Sequence, residues 1–174
     1  MAANNPQRGF TLIELIVVII LLSILSAVGM SLMPNAQHYN ARLAADQWLT
    51  FFRLGQRLAL VRQDPLQLVQ LTINETAAQW QMEIQQGTTV LDSLSMDRSD
   101  VVLRMSAADF TTACTQLPPP VLPMTLYFNG NGDHVAVSRA ITSTNLRVCF
   151  AQGAEQYELC LAPSGYVYRG ACVE

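Results

Sequence analysis

The chain has 174 residues, which is enough for one compact domain and an additional segment but not for two full domains. Hydrophobic residues make up 51% of the chain and charged residues only 13%, and much of the apolar excess lies between Phe10 and Met33. The net charge of −3 excludes a general cationic surface of the kind that holds nucleic acid, so no nucleic-acid partner is expected.

Residues 10–33 form an apolar segment in which Glu14 is the only ionisable side chain and which contains no proline. A helix of about 20 residues crosses the hydrocarbon core of a bilayer, so the segment predicts a transmembrane helix. Arg8 lies just before it. The positive-inside tendency therefore places the N-terminus in the cytoplasm and the bulk of the chain on the far side of the membrane.

Two simpler interpretations of this segment are a secretory signal peptide and a plain single-pass anchor. Glu14 argues against both. Neither explains a carboxylate one turn into an apolar helix, since a charge there costs roughly 2.5–3.5 kcal/mol at the bilayer centre and less near the interface. A signal peptide also requires a small-x-small cleavage site, and residues 26–29 offer only a loose version of one. The charge therefore indicates a function.

The hexapeptide GFTLIE at residues 9–14 resembles the processing site of type IV prepilins and type II secretion pseudopilins. The resemblance implies that residues 1–9 are a leader peptide, that a prepilin peptidase cuts between Gly9 and Phe10, and that the same enzyme methylates the new amino terminus of Phe10. It implies that residues 10–33 form first a membrane anchor and later a filament-core helix. The implied partners are the prepilin peptidase and N-methyltransferase, the lipid bilayer, an inner-membrane assembly platform, and other pilins or pseudopilins.

This processing would give Glu14 a physical role in assembly. The amino group freed at Phe10 is cationic, and the glutamate of one subunit can pair with the terminal amine of its neighbour. An unpaired charge in a medium of low dielectric is costly, so the pair favours docking in the correct register.

Residues 34–64 are predicted to form an amphipathic helix that continues into the globular domain. Pro34 cannot continue the helical hydrogen-bond ladder, so a kink is expected there. From Gln37 to Arg62 apolar residues recur at helical spacing, and Asp64-Pro65 ends the helix. The apolar stripe, which is expected to be core rather than a binding face, consists of Ala44, Trp48, Phe51, Phe52, Leu58 and Val61.

Residues 65–174 are predicted to form a β-rich head. Residues 78–85 alternate between apolar and polar side chains, as a half-buried strand does, and residues 66–73 are expected to pair with them. Further short strands are predicted at residues 101–105, 124–128, 135–138, 146–151, 157–162 and 166–169.

The four cysteines, Cys114, Cys149, Cys160 and Cys172, all lie in the second half of the chain. They lack the close pairing of a zinc site, and an even number beyond a membrane segment favours two disulfides in an oxidising compartment. Three pairings are open. If residues 146–151 and 157–162 form a hairpin centred near residues 154–155, Cys149 lies opposite Cys160, which leaves Cys114 to bridge Cys172.

The remaining candidates for chemistry are weak. Asn129, Asn131 and Asp133 alternate like calcium ligands, but no acidic residue stands at the far end of a twelve-residue loop, so a plain turn is expected. His134 lies near acidic and hydroxyl residues in sequence only, which is no catalytic triad. Neither an enzymatic activity, a cofactor nor a metal is predicted.

The expected fold is α+β and pilin-like, with a long N-terminal helix, half membrane and half amphipathic, packed on an antiparallel β-sheet domain. A helix followed by many short strands resembles the minor pilins and the H-type pseudopilins more than a major pilin, and residues 124–132 are similar to a strand-turn segment of that subgroup. The cysteines suggest the minor pilins of mannose-sensitive haemagglutinin pili.

The leading interpretation is a minor pilin that serves the biogenesis of a type IV pilus and adhesion. The alternative is a minor pseudopilin of type II secretion, and a third is a pilus-tip subunit that binds a ligand or DNA, with Arg139, Arg147 and Arg169 as its candidate cluster. All three predict a single-pass precursor in the inner membrane with a periplasmic head, which then enters a pilus or a periplasmic pseudopilus.

Overall fold

The computed structural model describes residues 11–31, 36–107 and 109–173. The chain divides into two units, residues 1–35 and residues 36–174. The expected combination of helices with antiparallel sheets is confirmed. Whether the two helices form one long rod is not tested, because Pro34 and its expected kink lie outside the described residues.

The first unit contains helix α1, Leu12–Ser31, which consists almost entirely of aliphatic residues. No helix within the described parts of the chain combines the length and the apolar character needed to cross a membrane. The membrane helix expected at residues 10–33 begins and ends outside the described residues, so it stays a prediction.

The second unit begins with helix α2, Ala36–Arg62. Its apolar stripe is core, as expected: Trp48 and Phe52 are fully buried, and Phe51 is 4% exposed. Val61, which the periodicity assigned to the same stripe, is 81% exposed because it lies in the last turn, beyond the region that the sheets cover. The helix ends before Asp64-Pro65, as predicted.

The first sheet is antiparallel and has the strand order β3-β2-β1-β5-β6. Its strands are β1 (Val69–Glu75), β2 (Gln79–Gln86), β3 (Thr89–Asp97), β5 (Met124–Phe128) and β6 (His134–Val135). Alternate residues of β2 face α2, since Trp80, Met82 and Ile84 are buried while their neighbours are more exposed. At Gly55 the helix approaches closely, and an added Cβ would lie 3.3 Å from the ring of Phe128.

The second sheet is also antiparallel and has the strand order β4-β7-β8-β9. Its strands are β4 (Val102–Ser106), β7 (Leu146–Gln152), β8 (Glu155–Leu161) and β9 (Val167–Arg169). Its inner face packs on α2 through buried side chains that include Val148, Phe150 and Leu159. The guanidinium of Arg53 on α2 donates to the carbonyl of Val167 at 3.0 Å and so fixes the far edge of this sheet.

An aromatic cluster joins the helix to both sheets. The ring of Trp48 lies 5.8 Å from that of Trp80 in the first sheet and 5.3 Å from that of Phe150 in the second. Both contacts are edge-to-face, the arrangement that ring quadrupoles favour. One helical side chain therefore connects the two sheets at the centre of the core.

The strand predictions are confirmed in existence and shifted by a few residues at their ends. Residues 124–128 match β5, whereas the strand expected at residues 135–138 is His134–Val135. The sequence interpretation missed β3 altogether. Its burial alternates weakly because it lies at the edge of the sheet, and Met96, at 6% exposed, is its most buried residue.

The disulfides join Cys114 to Cys149 and Cys160 to Cys172, so the pairing expected from the hairpin is wrong. The hairpin turns at Gly153-Ala154, one residue earlier than expected, and Cys149 therefore lies opposite Glu158. Cys149 and Cys160 become diagonal neighbours, which are about 7–8 Å apart and too distant for a bridge.

The outer face of the second sheet is covered by the segment that carries Cys114. Arg147 lies beneath this segment, 4% exposed, and donates to the carboxylate of Glu158 at 2.7 Å and to the carbonyl of Thr112 at 2.6 Å. The disulfide to Cys149, which lies two residues further along β7 on the same face, fixes the same segment. A bridge and an ion pair thus hold one loop onto one sheet face.

We predict that Glu158→Ala lowers the free energy of unfolding by about 3 kcal/mol, because it leaves the guanidinium of Arg147 buried without its charge partner. This value is at the lower end for a buried pair, since the Glu158 side chain is 22% exposed. Denaturant titration of the full chain in detergent micelles, followed by circular dichroism, measures the change.

Glu75→Ala is the matched control, because it breaks the pair with Arg98, in which both side chains are about a third exposed. Its expected effect is below about 1 kcal/mol. Equal losses for the two variants would show that the Arg147–Glu158 pair contributes no more than a surface ion pair.

Candidate assembly segment and the surfaces of the head

The candidate assembly segment starts at Thr11, immediately before α1. The backbone N–H of Glu14 lies 3.1 Å from the carbonyl oxygen of Thr11 and 3.4 Å from its hydroxyl oxygen. Thr-x-x-Glu at a helix start is the capping-box pattern, in which the hydroxyl accepts from the backbone N–H of the glutamate; here the Thr11 carbonyl shares that N–H. Glu14 also lies in the first turn, where the helix dipole favours an anion.

The side chains of α1 from residue 12 to residue 26 are exposed on every side of the helix. Leu12 is 77% exposed and Ile24 is 57% exposed. Ser23 and Ser26 donate their hydroxyls to the carbonyls of Ile19 and Leu22, at 2.7 and 2.8 Å, which satisfies their polar groups within the helix. A helix that is apolar all round requires an apolar environment, and the Glu14 carboxylate is the group that such an environment satisfies least.

Gly9 and Phe10 lie outside the described residues. Cleavage between them, methylation of Phe10 and the pairing of its amine with Glu14 therefore stay predictions. The sequence interpretation identified Glu14 but missed the cap that Thr11 provides, although the T-x-x-E spacing carries that signal.

The sulfur atoms of Cys114 and Cys149 and a carboxylate oxygen of Glu158 lie within 4.8 Å of one another, which is a geometry that could hold a metal. Both sulfurs are in a disulfide, however, and the thiolate is the form of cysteine that binds metals. The guanidinium of Arg147 already pairs with the carboxylate. The arrangement therefore fits a covalent staple better than a metal centre.

The turn at Asn129, Asn131 and Asp133 uses its polar groups internally. The amide oxygen of Asn129 accepts from the backbone N–H groups of Asn131 and Asp133, both at 2.9 Å, and its amide nitrogen donates to the Asp133 carboxylate at 3.1 Å. This is the bonding of an Asx turn, which agrees with the plain turn expected from the sequence.

Arg139, Arg147 and Arg169 do not form the joint cluster that a DNA-binding tip subunit would need. Arg147 is buried against Glu158, whereas Arg169 pairs with Asp46 at 2.6 Å. Arg139 donates to the backbone carbonyls of residues 65 and 66. Because Arg147 is buried and paired, an exposed cluster of all three arginines, as postulated from the sequence, is wrong.

His134 is buried on β6 beside the ring of Phe128, and its Nδ1 lies 3.0 Å from the hydroxyl of Thr142. Burial lowers the pKa of His134 below its usual 6.5, because an imidazolium is poorly solvated there. The side chain is neutral at neutral pH and serves as a packed hydrogen-bonding group.

The family model described as the prokaryotic N-terminal methylation motif matches residues 4–30. The match includes Gly9, Phe10 and Glu14 and covers the start of the chain alone. Comparison with curated proteins finds no significant match, and neither does comparison with solved structures.

The N-terminal segment thus carries the methylation motif of type IV pilin-like proteins, as the resemblance in sequence predicted. This class consists of structural proteins. The motif implies processing by a prepilin peptidase and assembly with other pilins, and it implies a precursor anchored in the inner membrane.

We predict that the chain loses stability on acidification from about pH 7.5 to about pH 5, where the unfolded histidine binds a proton and the folded one resists it. Because the folded pKa of His134 is lowered, its contribution is complete above 6.5 and declines as the pH falls towards the folded value. Thermal unfolding across this range measures the loss, and His134→Gln should flatten the profile. An unchanged slope in that variant would assign the loss to other groups.

Proposed function

We propose that the chain is a minor pilin, a structural and assembly subunit of a type IV pilus of the mannose-sensitive haemagglutinin type, with a role in pilus biogenesis and adhesion. The observation that carries the proposal is the methylation motif at residues 4–30 with Glu14 inside it. Two disulfides in the head support export to an oxidising compartment.

The proposed mechanism of assembly follows from the charges of α1. After cleavage, the amine of Phe10 and the carboxylate of Glu14 lie in an apolar helix in each subunit. Each charge alone is costly in a medium of low dielectric, whereas a pair formed between two subunits satisfies both. The apolar side chains of α1 supply the contact area, and the charge pair fixes the axial register.

A second candidate is a minor pseudopilin of type II secretion, whose short filament remains in the periplasm. The strand at residues 124–128 and the turn after it support this candidate as well as the first, because residues 124–132 resemble a segment typical of both minor pilins and H-type pseudopilins. Copurification of the tagged chain with either a surface pilus or the secretion machinery distinguishes the two.

The first prediction of this proposal concerns processing. Intact-mass measurement of the chain from cells should show a polypeptide that begins at Phe10 and carries one additional methyl group. Gly9→Leu should leave the leader in place, because the peptidase would lose the residue it cuts after. A mature wild-type chain that still begins at Met1 would contradict the proposal.

The second prediction concerns Glu14. Glu14→Ala should be inserted and processed normally but should enter sheared filaments at a level reduced by about tenfold or more, since the amine of the neighbour is left unpaired. Quantitative immunoblotting of filament and membrane fractions measures the ratio.

Thr11→Ala is the matched control, because it removes the helix cap and keeps the carboxylate. Loss of a cap costs about 1 kcal/mol of helix stability, so a small effect on incorporation is expected. If both variants fail equally, Glu14 acts through the helix start and not through a neighbouring subunit.

A further inference from the structure

Strand β3 forms an edge of the first sheet, with β2 on one side only. At its end the N–H of Arg98 donates to the carbonyl of Ala78 at 3.0 Å, in line with the β2–β3 register. The N–H and C=O of one residue in an antiparallel pair point to the same side, so the even-numbered residues of this stretch face β2. Ser93, Ser95 and Asp97 therefore direct their backbone groups away from the sheet.

The open part of this edge is short. The carboxylate of Asp92 accepts the N–H of Ser93 at 2.8 Å, and the register shifts between Ile84 and Gln85, next to the first residues of β3. Beyond the strand, the carbonyl of Ser99 accepts from the side chain of Gln152. The carbonyl of Ser93 remains available for pairing with another strand, as do the N–H and C=O groups of Ser95 and Asp97. An edge of this length fits one short strand.

A groove runs between this edge and helix α2. Its two stretches meet at Gln47 and have volumes of about 310 and 410 Å³. A strand added at the edge would direct every second side chain into the groove. The apolar side chains that would receive them are Leu43, Phe51, Leu54, Leu94 and Met96.

The charges beside the groove are acidic. Asp92 and Asp97 are exposed on β3, and the nearby Arg98 already pairs with Glu75. A second copy of β3, paired antiparallel about Ser95, would place Ser93 of the copy opposite Asp97 and the already paired Arg98 of the copy opposite Asp92. The copy therefore offers neither carboxylate a cation that is free to pair. Opposite charges across a strand pair are stabilising, so the edge favours a basic strand over a copy of itself.

We propose that the β3 edge and this groove form a docking site for one extended strand of a different filament subunit. The strand has apolar residues at alternate positions and a basic side chain beside Asp92 or Asp97. This inference rests on the proposed function, since it names the kind of partner that the head contacts within the filament.

The test uses the full chain in detergent micelles and a short fluorescein-labelled peptide in which valine alternates with threonine and arginine. Fluorescence anisotropy should show saturable binding, weakened by salt. Ser95→Pro removes an outward N–H without removing a bond to β2, since proline is tolerated where the N–H of an edge strand faces solvent. It should weaken binding by about tenfold, as lost backbone pairing and the proline ring act together.

Ser95→Ala is the matched control, because it keeps the backbone donor and should bind as the wild type does. Thr50→Trp tests the groove from the helix side, since Thr50 lines the groove and is exposed. It should block the peptide while the edge stays intact. Equal binding by Ser95→Pro, or equal binding of a peptide with glutamate in place of arginine, would overturn the proposal.

Sedimentation of the full chain without peptide tests whether a second copy of the chain occupies the site instead. A dimer that Ser95→Pro dissociates would overturn the choice of a basic partner in favour of a second copy. Peptide binding does not depend on filament incorporation. A chain that binds the peptide but is never processed at Gly9 would therefore contradict the proposed function alone, and a processed chain that ignores the peptide would contradict the docking site alone.

Discussion

The head depends on a single helix that must cover two sheets at once. Trp48 on α2 contacts Trp80 in the first sheet and Phe150 in the second, and the hydrogen-bond ladders themselves stay within each sheet. Burial of three large aromatic side chains supplies a large apolar contact at this point. No strand in the described part of the chain belongs to both sheets, so the placement of one sheet relative to the other follows from the helix that packs on both.

The opposite face of the second sheet is covered in a different way, by a loop and a disulfide. Within the described residues no α-helix covers this face, and the residues that point outward there include Arg147 and Cys149. The loop that carries Cys114 covers this face through a disulfide, and Thr112 and Glu158 satisfy the buried guanidinium. A covalent bridge suits this position because a short irregular segment buries too little apolar surface to hold itself in place.

Sequence patterns predicted those elements that have one fully buried face. The alternation of β2 and the aromatic stripe of α2 are visible because Trp80 and Trp48 each lie on a fully buried face. β3 escaped prediction since its outward positions carry serine and aspartate, which are typical of loops as well as of edge strands. The disulfides were paired wrongly because a hairpin that turns one residue earlier changes which residues lie opposite, and sequence alone does not fix that register.

The local geometry of Glu14 is compatible with the intermolecular role that we propose for its carboxylate. The cap uses its backbone N–H, which Thr11 accepts, and the carboxylate takes no part in that bond. A carboxylate near the positive end of a helix is partly stabilised by the dipole, so its cost in an apolar medium is reduced but not removed. The remaining cost is what a cationic amine from a neighbour can relieve. The same geometry that starts the helix therefore leaves the charge available for the pairing that we propose, in which the proline-free run of residues behind it would supply the apolar contact.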